Sequence, residues 1–311
     1  MKKKLLVLGS NGFLGKNLIE ILRLKKNVDI YDIYEIKGKN NLDIADYQEL
    51  SRYFDKIKPN YVINCSSFVG GIAYGFKYPA SILELNTQMI INIFRCSLEA
   101  KVEKLVSPIS NCAYPGNISE YKEELFWDGK PHDSVFNYAL TRRLIVALSK
   151  AYSEEYKFNS TNIVLSNMYG PNDHFEIERS HALGALIYKI YNAKQNNLNN
   201  VEIWGTGKPI REWLYVEDGA KALIEALKLE SGSHLLNVGV NKGISIKDLA
   251  KKIAINLDWN GEFVFDTSRP DGAIEKRVDG TKFQSVLEWE PSIDLDHGLK
   301  KTIAWYVNNL S

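Results

Sequence analysis

Cysteine is scarce. Cys65, Cys96 and Cys112 are the only three, and they show neither CxxC nor metal-ligand spacing. An odd, scattered set excludes a disulfide framework and any recognisable metal cluster, so no metal is expected, and the chain reads as a reduced, cytoplasmic protein. Long apolar runs are missing too, so no membrane span is expected. Met1-Lys2-Lys3-Lys4 with the apolar residues after it imitates a secretory leader, but the run is too short and Gly9 onward has a better use. Neither sign of charge prevails. There are 39 Lys and Arg against 38 Asp and Glu, for a net charge of +1. No bulk field draws nucleic acid or a membrane surface. Repeats, low-complexity tracts and an obvious linker are absent as well. What remains is 311 residues, 45% hydrophobic and 25% charged, enough for one large or two moderate globular domains.

The strongest signal opens the chain. Lys4-Leu5-Leu6-Val7-Leu8 is a short apolar run, followed at once by Gly9-Ser10-Asn11-Gly12-Phe13-Leu14-Gly15 and a stretch from Lys16 to Lys25 with helical spacing. Strand, tight turn and helix in that order make a phosphate cradle. Gly9 serves the turn, Gly12 admits a pyrophosphate, and Gly15 lets helix and strand pack closely. The unpaired N–H groups and positive dipole end of the helix then face the phosphates. Asn11, Phe13 and Leu14 belong to the same loop and are expected to touch the cofactor. A glycine-containing turn without a ligand is the alternative.

Val28-Asp29-Ile30-Tyr31-Asp32 reads as a second strand ending in an acid. An acid some 20 residues past the glycines binds the adenosine ribose of NAD. Asp32 fits that place and favours NAD(H) over NADP(H), although Lys37 and Lys39 follow and could receive an extra phosphate. Asp32 reads otherwise as a solvated strand-end residue. Asp43 precedes a helix from about Ala45 to Ile57 and joins the expected cofactor contacts. Tyr61–Cys65 is the third strand, with a small-residue loop after it. Pro79–Ala100 is a long helix, and Lys104–Ser107 the fourth strand. Alternating strands and helices predict an α/β fold with a Rossmann-type, doubly wound parallel sheet.

Chemistry is expected past that fourth strand, at Ser110-Asn111-Cys112-Ala113-Tyr114-Pro115. Asn137 then opens a helix to about Tyr156, with Tyr138 and Arg142 one turn apart on one face. A tyrosine beside a fixed cation can serve as an acid–base, with Ser110 bonding the same substrate oxygen.

These phrases resemble the extended short-chain dehydrogenase/reductase superfamily. Within it the chain is similar to the GDP-L-fucose synthase branch, the 3,5-epimerase/4-reductases of GDP-4-keto-6-deoxymannose. The likeness covers almost the whole chain. It is carried by the glycine loop, Val69-Gly70-Gly71-Ile72, Tyr78-Pro79-Ala80, Ser110-x-Cys112-x-Tyr114-Pro115, Tyr138-Ala139, Asn167–Asp173, Ser180-His181, Trp204-Gly205-x-Gly207-x-Pro209-x-Arg211-Glu212 and Pro270-Asp271-Gly272. One departure stands out: Arg142 occupies the place of the lysine in Tyr-x-x-x-Lys. Arginine keeps the charge and can bond the nicotinamide ribose, but it is longer, planar and does not deprotonate.

The resemblance implies that Cys112 and His181 supply the base and acid that epimerise C3 and C5. A C4 ketone acidifies both neighbouring C–H bonds. Cys112 alone reads equally as a small core residue, and His181 as a structural or cofactor contact. Asn167 is expected beside the cofactor. Lys189 stands where the family has an arginine near the substrate diphosphate, and Arg211 is the best diphosphate clamp. Trp204 offers a flat face for base or sugar, or is ordinary core. Asp271 binds sugar hydroxyls or sits in an unliganded turn. The expected division is an NAD(P)-binding domain over residues 1–168, with 213–240 returning to it, and a smaller sugar-nucleotide domain over 169–311. Trp213–Val216 and Leu235–Gly239 are expected to be strands of the nucleotide sheet. Helices Pro79–Ala100 and Tyr138–Tyr156 are where this superfamily pairs into a four-helix homodimer. Three outcomes remain open: epimerisation with C4 reduction, C4 reduction or C4 oxidation/4-epimerisation alone, and a non-catalytic nucleotide sensor. The sugar itself turns on the loops Phe126–Ser134 and Asp173–Arg179.

Overall fold

The computed structural model describes residues 2–176, 180–269, 271 and 273–310, without the side chains of residues 72 and 73. Arg179 of the expected sugar loop, Pro270 and Gly272 of the Pro-Asp-Gly turn, and the side chain of Ile72 therefore lie outside the described residues.

The chain begins with β1 (Lys3–Leu8), the glycine turn and α1 (Phe13–Leu22). Gly9 adopts φ +72°, and a Cβ there would come within 2.7 Å of the Ser66 backbone. A Cβ on Gly15 would meet the Gly9 carbonyl at 2.2 Å. Both positions therefore need glycine, one for the turn and one for the closeness of helix to strand. A short α2 (Lys25–Val28) follows, tied back by the buried Asn27, whose amide donates to the Ile21 carbonyl at 2.8 Å. That turn consumes Val28, and the second strand starts late, as β2 (Tyr31–Ile36).

Next come α3 (Tyr47–Ile57), capped by Asp46 accepting from the Glu49 N–H, then β3 (Tyr61–Asn64) and α4 (Ile72–Lys77). The long α5 (Pro79–Glu99) starts with proline in its first turn, where no N–H is needed. β4 (Lys104–Ser110) runs through to Ser110, three residues past the expected end. The small β5 (Glu120–Tyr121) precedes α6 (Phe136–Tyr156). β6 (Ser160–Leu165), a strand with no counterpart in the sequence reading, is buried throughout. The remainder comprises β7 (Asn167–Tyr169), α7 (Ala182–Gln195), β8 (Asn200–Trp204), β9 (Ile210–Tyr215), α8 (Val216–Glu225), β10 (Ser233–Val238) and β11 (Gly243–Ser245). Then follow α9 (Ile246–Asn256), β12 (Glu262–Asp266), β13 (Glu275–Val278), α10 (Thr281–Leu287) and α11 (Leu295–Asn309).

Six strands form one parallel sheet in the order β10-β6-β4-β3-β1-β2. Leu14 and Leu18 of α1 with Ala220 and Leu223 of α8 cover one face. Leu50 and Phe54 of α3, Ile93 of α5 and Ile145 of α6 cover the other. The fold is therefore α/β and doubly wound, as expected. The chain leaves β1 for β2 on one side and then returns to β3 on the other. The crevice beyond the ends of β1 and β3 is thus the switch point at which such sheets bind ligands.

A second sheet runs β11-β9-β13-β5, with β7 against β9, and a third pairs β12 with β8. Leu235–Val238 returns to the six-stranded sheet as expected, but Trp213–Tyr215 does not. It lies in β9 of the second sheet, because β9 is claimed by β7, β11 and β13. Leu214 of β9 and α8, which follows it, pack back onto the nucleotide side. A third core joins Ile187 of α7, Leu249 of α9, Ile303 of α11 and Trp213.

Candidate active site

The glycine loop fits a dinucleotide on its own evidence. Gly12 caps α1 with no side-chain bond, so the first N–H groups of the helix stay free. The Ser10 hydroxyl beside them is buried and has no hydrogen-bond partner among the described residues. Asn11, Phe13 and Leu14 ride on this same turn.

Asp32 is elsewhere. It pairs with Lys4 near the start of β1, exposed, at the end of the sheet opposite the loop. The strand end beside the loop is Ile36, whose carbonyl accepts from Gly9 N at 2.8 Å and Ser10 N at 3.1 Å. Lys37, Gly38 and Lys39 come next, all exposed. The assignment of Asp32 to the ribose is therefore wrong by about four residues, and with it goes the carboxylate that argued for NAD. Asp43 lies in the following loop, bonded to Ala45 N and paired with Lys39 at 3.2 Å.

Ser110 ends β4, and its hydroxyl accepts from Cys112 N at 3.4 Å, which opens a single 3₁₀ turn over Asn111–Ala113. Tyr138 lies in the first turns of α6. The Arg142 guanidinium carbon sits 4.9 Å from its ring centroid, one helical turn on. Arg142 is only 3% exposed, and its Nη2 donates to Asn86 Oδ1 at 3.2 Å. Asn86, fully buried on α5, also accepts from Phe68 N and Ser67 Oγ, and Ser67 Oγ lies 3.4 Å from the Tyr138 hydroxyl. Neither Ser67 nor Asn86 was among the expected site residues. Nothing local marks them, because α5 and the loop after β3 lie far from α6 in the chain and meet it only when the fold packs them together.

Burial pushes the Cys112 thiol above its ordinary range, and the Ser110 hydrogen bond and the charges of Arg142 and Lys276 pull it partly back. His181 heads α7 at its N-cap position. Desolvation first and His174 second hold its imidazole below the usual range, so it is neutral at pH 7.

A cleft of about 320 Å³ gathers Asn167, His181, Lys189, Trp204, Arg211 and Asp271. All six were expected on the ligand path, and they come from β7, α7, β8, β9 and the segment before β13. Trp204 is 58% exposed, with Lys189 Nζ 5.4 Å and Arg269 Cζ 5.1 Å from its ring centroid. It is no core residue. The Asp271 carboxylate accepts from Thr206 N at 2.6 Å and Thr206 Oγ1 at 2.7 Å, which braces the Trp-Gly-x-Gly loop. Arg211 is half-buried, and among the described residues its guanidinium donates to the Ile210 carbonyl alone. Its neighbour Glu212 faces away, fully buried, and its carboxylate accepts the N–H groups of Val240, Asn241 and Val278. Asn167 donates to the Glu212 carbonyl at 3.1 Å and accepts from Asn111 at 3.4 Å. That last bond joins the Ser110–Cys112 turn to the cleft wall.

A nucleotide crevice beside a Ser, Tyr and buried-cation set defines a dinucleotide-dependent enzyme of the short-chain dehydrogenase/reductase type. The chain belongs to the NAD dependent epimerase/dehydratase family, whose family model matches residues 5–239. It is an NAD(P)-dependent epimerase/reductase-type enzyme. A GDP-L-fucose synthase of Dictyostelium discoideum is 32% identical over 311 residues, spanning 99% of this chain and 96% of its own length. Among solved structures, a GDP-L-fucose synthetase from Naegleria fowleri bound to NADP superposes with a TM-score of 0.90 at 30% identity, covering 99% of this chain and 93% of that one. A GDP-mannoheptose C4 reductase from Campylobacter jejuni with NADP bound gives 0.86 at 27%, covering 98% of each chain.

Proposed function

We propose that this enzyme reduces the C4 ketone of a GDP-linked 4-keto-6-deoxy sugar after exchanging protons at C3 and C5, and that it draws on NADPH. The observation that carries this reading is the Asn111–Asn167 bond. It sets the turn bearing Ser110 and Cys112 against a cleft lined by His181, Arg211 and Trp204. The names of the relatives agree with it.

Ser110 and Tyr138 hold the C4 oxygen, and Tyr138 gives that oxygen a proton as the carbonyl is reduced. Arg142, gripped by Asn86, keeps a positive charge beside the tyrosine ring. Bound NADPH supplies the two electrons of the reduction. Gly9, Asn11, Gly12, Phe13, Leu14 and Gly15 would cradle its pyrophosphate, with Asp43, Asn167 and Arg142 along its length. Lys37 and Lys39, at the ribose end of β2, suit a phosphorylated ribose. Arg211 and Lys189 hold the diphosphate of the sugar nucleotide, and Trp204 stacks on its base. Cys112 and His181 stand for the proton exchanges. C4 reduction without exchange is the second reading, favoured by the burial that keeps Cys112 protonated.

The test is the reaction in heavy water with GDP-4-keto-6-deoxymannose and NADPH or NADH, reading product mass. Deuterium at both C3 and C5, with faster oxidation of NADPH, is the expected result. Cofactor oxidation without deuterium gain removes the roles of Cys112 and His181. No oxidation of either cofactor removes the reductase reading itself. Leu83, Leu85 and Ile91 are exposed on α5 and support pairing of two copies through α5 and α6, which light scattering tests as a dimer mass.

A further inference from the structure

Lys276 was not among the expected site residues, and the mechanism above leaves it unused. It lies on β13, level with Arg211 on β9. Residues level on neighbouring strands project from the same face, here the face on which Arg211 lines the cleft. Lys276 is half-buried, and its ammonium makes no hydrogen bond or ion pair with any described residue.

The same strand leads to Cys112. Val278 of β13 is level with Tyr121 of β5, and the Tyr121 ring stacks on Tyr114, with centroids 4.7 Å apart and planes within 5°. Tyr114 closes the turn that holds Cys112. The groups that act on the thiol are Ser110 on β4, Arg142 from α6 and Lys276 from β13, with the phenol of Tyr121 nearby. No carboxylate is among them. Lys276 and Arg211 repel each other, and burial adds to the cost of keeping both charged. The Asp271 carboxylate bears on Arg211, whereas no carboxylate bears on Lys276, whose charge awaits something negative.

We propose that Lys276 is the counter-charge of the Cys112 thiolate, a positioning residue that steadies this form whenever Cys112 exchanges a proton with the substrate. This rests on the epimerising reading. In one direction the thiolate takes the proton from the carbon beside the C4 ketone. The C–H electron pair moves onto the ketone oxygen as an enolate, and a neutral thiol remains. In the other direction the thiol returns the proton to that carbon, the carbonyl reforms, and the thiolate is left. Lys276 keeps its own proton throughout.

The test is alkylation of the full-length enzyme by iodoacetamide from pH 6 to 10, followed by the mass of the Cys112 peptide. Burial pushes the thiols of Cys65 and Cys96 up to about 12, so they compete poorly. Lys276→Met is expected to raise the midpoint for Cys112 by roughly one pH unit, about tenfold in rate below it, while Lys276→Arg restores the wild-type profile. Deuterium gain at C3 and C5 should fall alongside. Lys276→Gln serves if the methionine variant melts early. A wild-type alkylation profile in the charge-free variants, with a raised KM for the GDP-sugar, would overturn the proposal and make Lys276 a diphosphate ligand. A shifted midpoint in an enzyme that exchanges no deuterium would uphold the counter-charge and sink the epimerising reading alone.

Discussion

Asp173 closes the Tyr-Gly-Pro-Asn-Asp turn that leaves β7, and it is 8% exposed. Among the described residues its carboxylate accepts one bond, from His174 N at 2.8 Å. Burial pushes its carboxyl up to about 7. An unfolded aspartate titrates near 3.9, so the folded value is raised by about three units. The sign follows from linkage. Below about pH 4 both states are protonated and nothing is lost. Between about 4 and 7 the unfolded chain ionises while the folded one does not, and stability falls. Above 7 the cost is complete. Three units at about 1.36 kcal/mol each make roughly 4 kcal/mol. Asp173→Asn keeps the shape and the acceptor for His174 N but cannot ionise. Thermal or urea unfolding of both proteins from pH 4.5 to 8.5 should give curves that nearly coincide at the acid end. The variant should be roughly 3–4 kcal/mol more stable at pH 8. Parallel curves across that range would refute the reasoning, because the carboxylate would then be as well solvated folded as unfolded.

Tyr138→Phe is expected to lose C4 reduction by about 10²- to 10⁴-fold while deuterium exchange at C3 and C5 continues, both read by product mass. Undiminished reduction would take the proton donor away from Tyr138. Replacing Lys37 and Lys39 by glutamate should raise the KM for NADPH roughly five- to thirtyfold, at about 0.5–1 kcal/mol for each exposed charge, and leave NADH nearly untouched. Steady-state kinetics with the two cofactors checks this, and an equal effect on both would deny the lysines a phosphate. Glu212→Gln turns one acceptor into a donor toward backbone N–H groups it now satisfies. A net loss of about 1–2 kcal/mol in urea unfolding is expected, since relief of a buried charge offsets part of the lost bond. A gain in stability would mean the charge outweighed its bonds.

The glycine turn was legible because its constraints are local: a positive φ at Gly9 and a helix pressed on a strand at Gly15 can be read from spacing alone. The i, i+4 pairing of Tyr138 and Arg142 is equally local, and the distance across one helical turn realises it. The motif phrases named five cleft residues from separate stretches, the resemblance added Lys189, and the fold then brought all six into one cavity.

Strand register was beyond reach. Val28, Ile30 and Ile33 alternate well enough for several frames, and β2 takes its place from pairing along β1, Leu8 against Ile36. That shift moved Asp32 to the end of the sheet away from the glycine turn and put Lys37 and Lys39 just past the end beside it. β6 carries polar residues at Ser160, Thr161 and Asn162, which mask a wholly buried strand until its neighbours β4 and β10 enclose it. Lys276, Asn86 and Ser67 belong to no phrase that spells chemistry. Each acquires its surroundings from strands or helices distant in the chain, so the sequence by itself determined the groups proposed to act, and the tertiary structure alone decided which charges stand beside them.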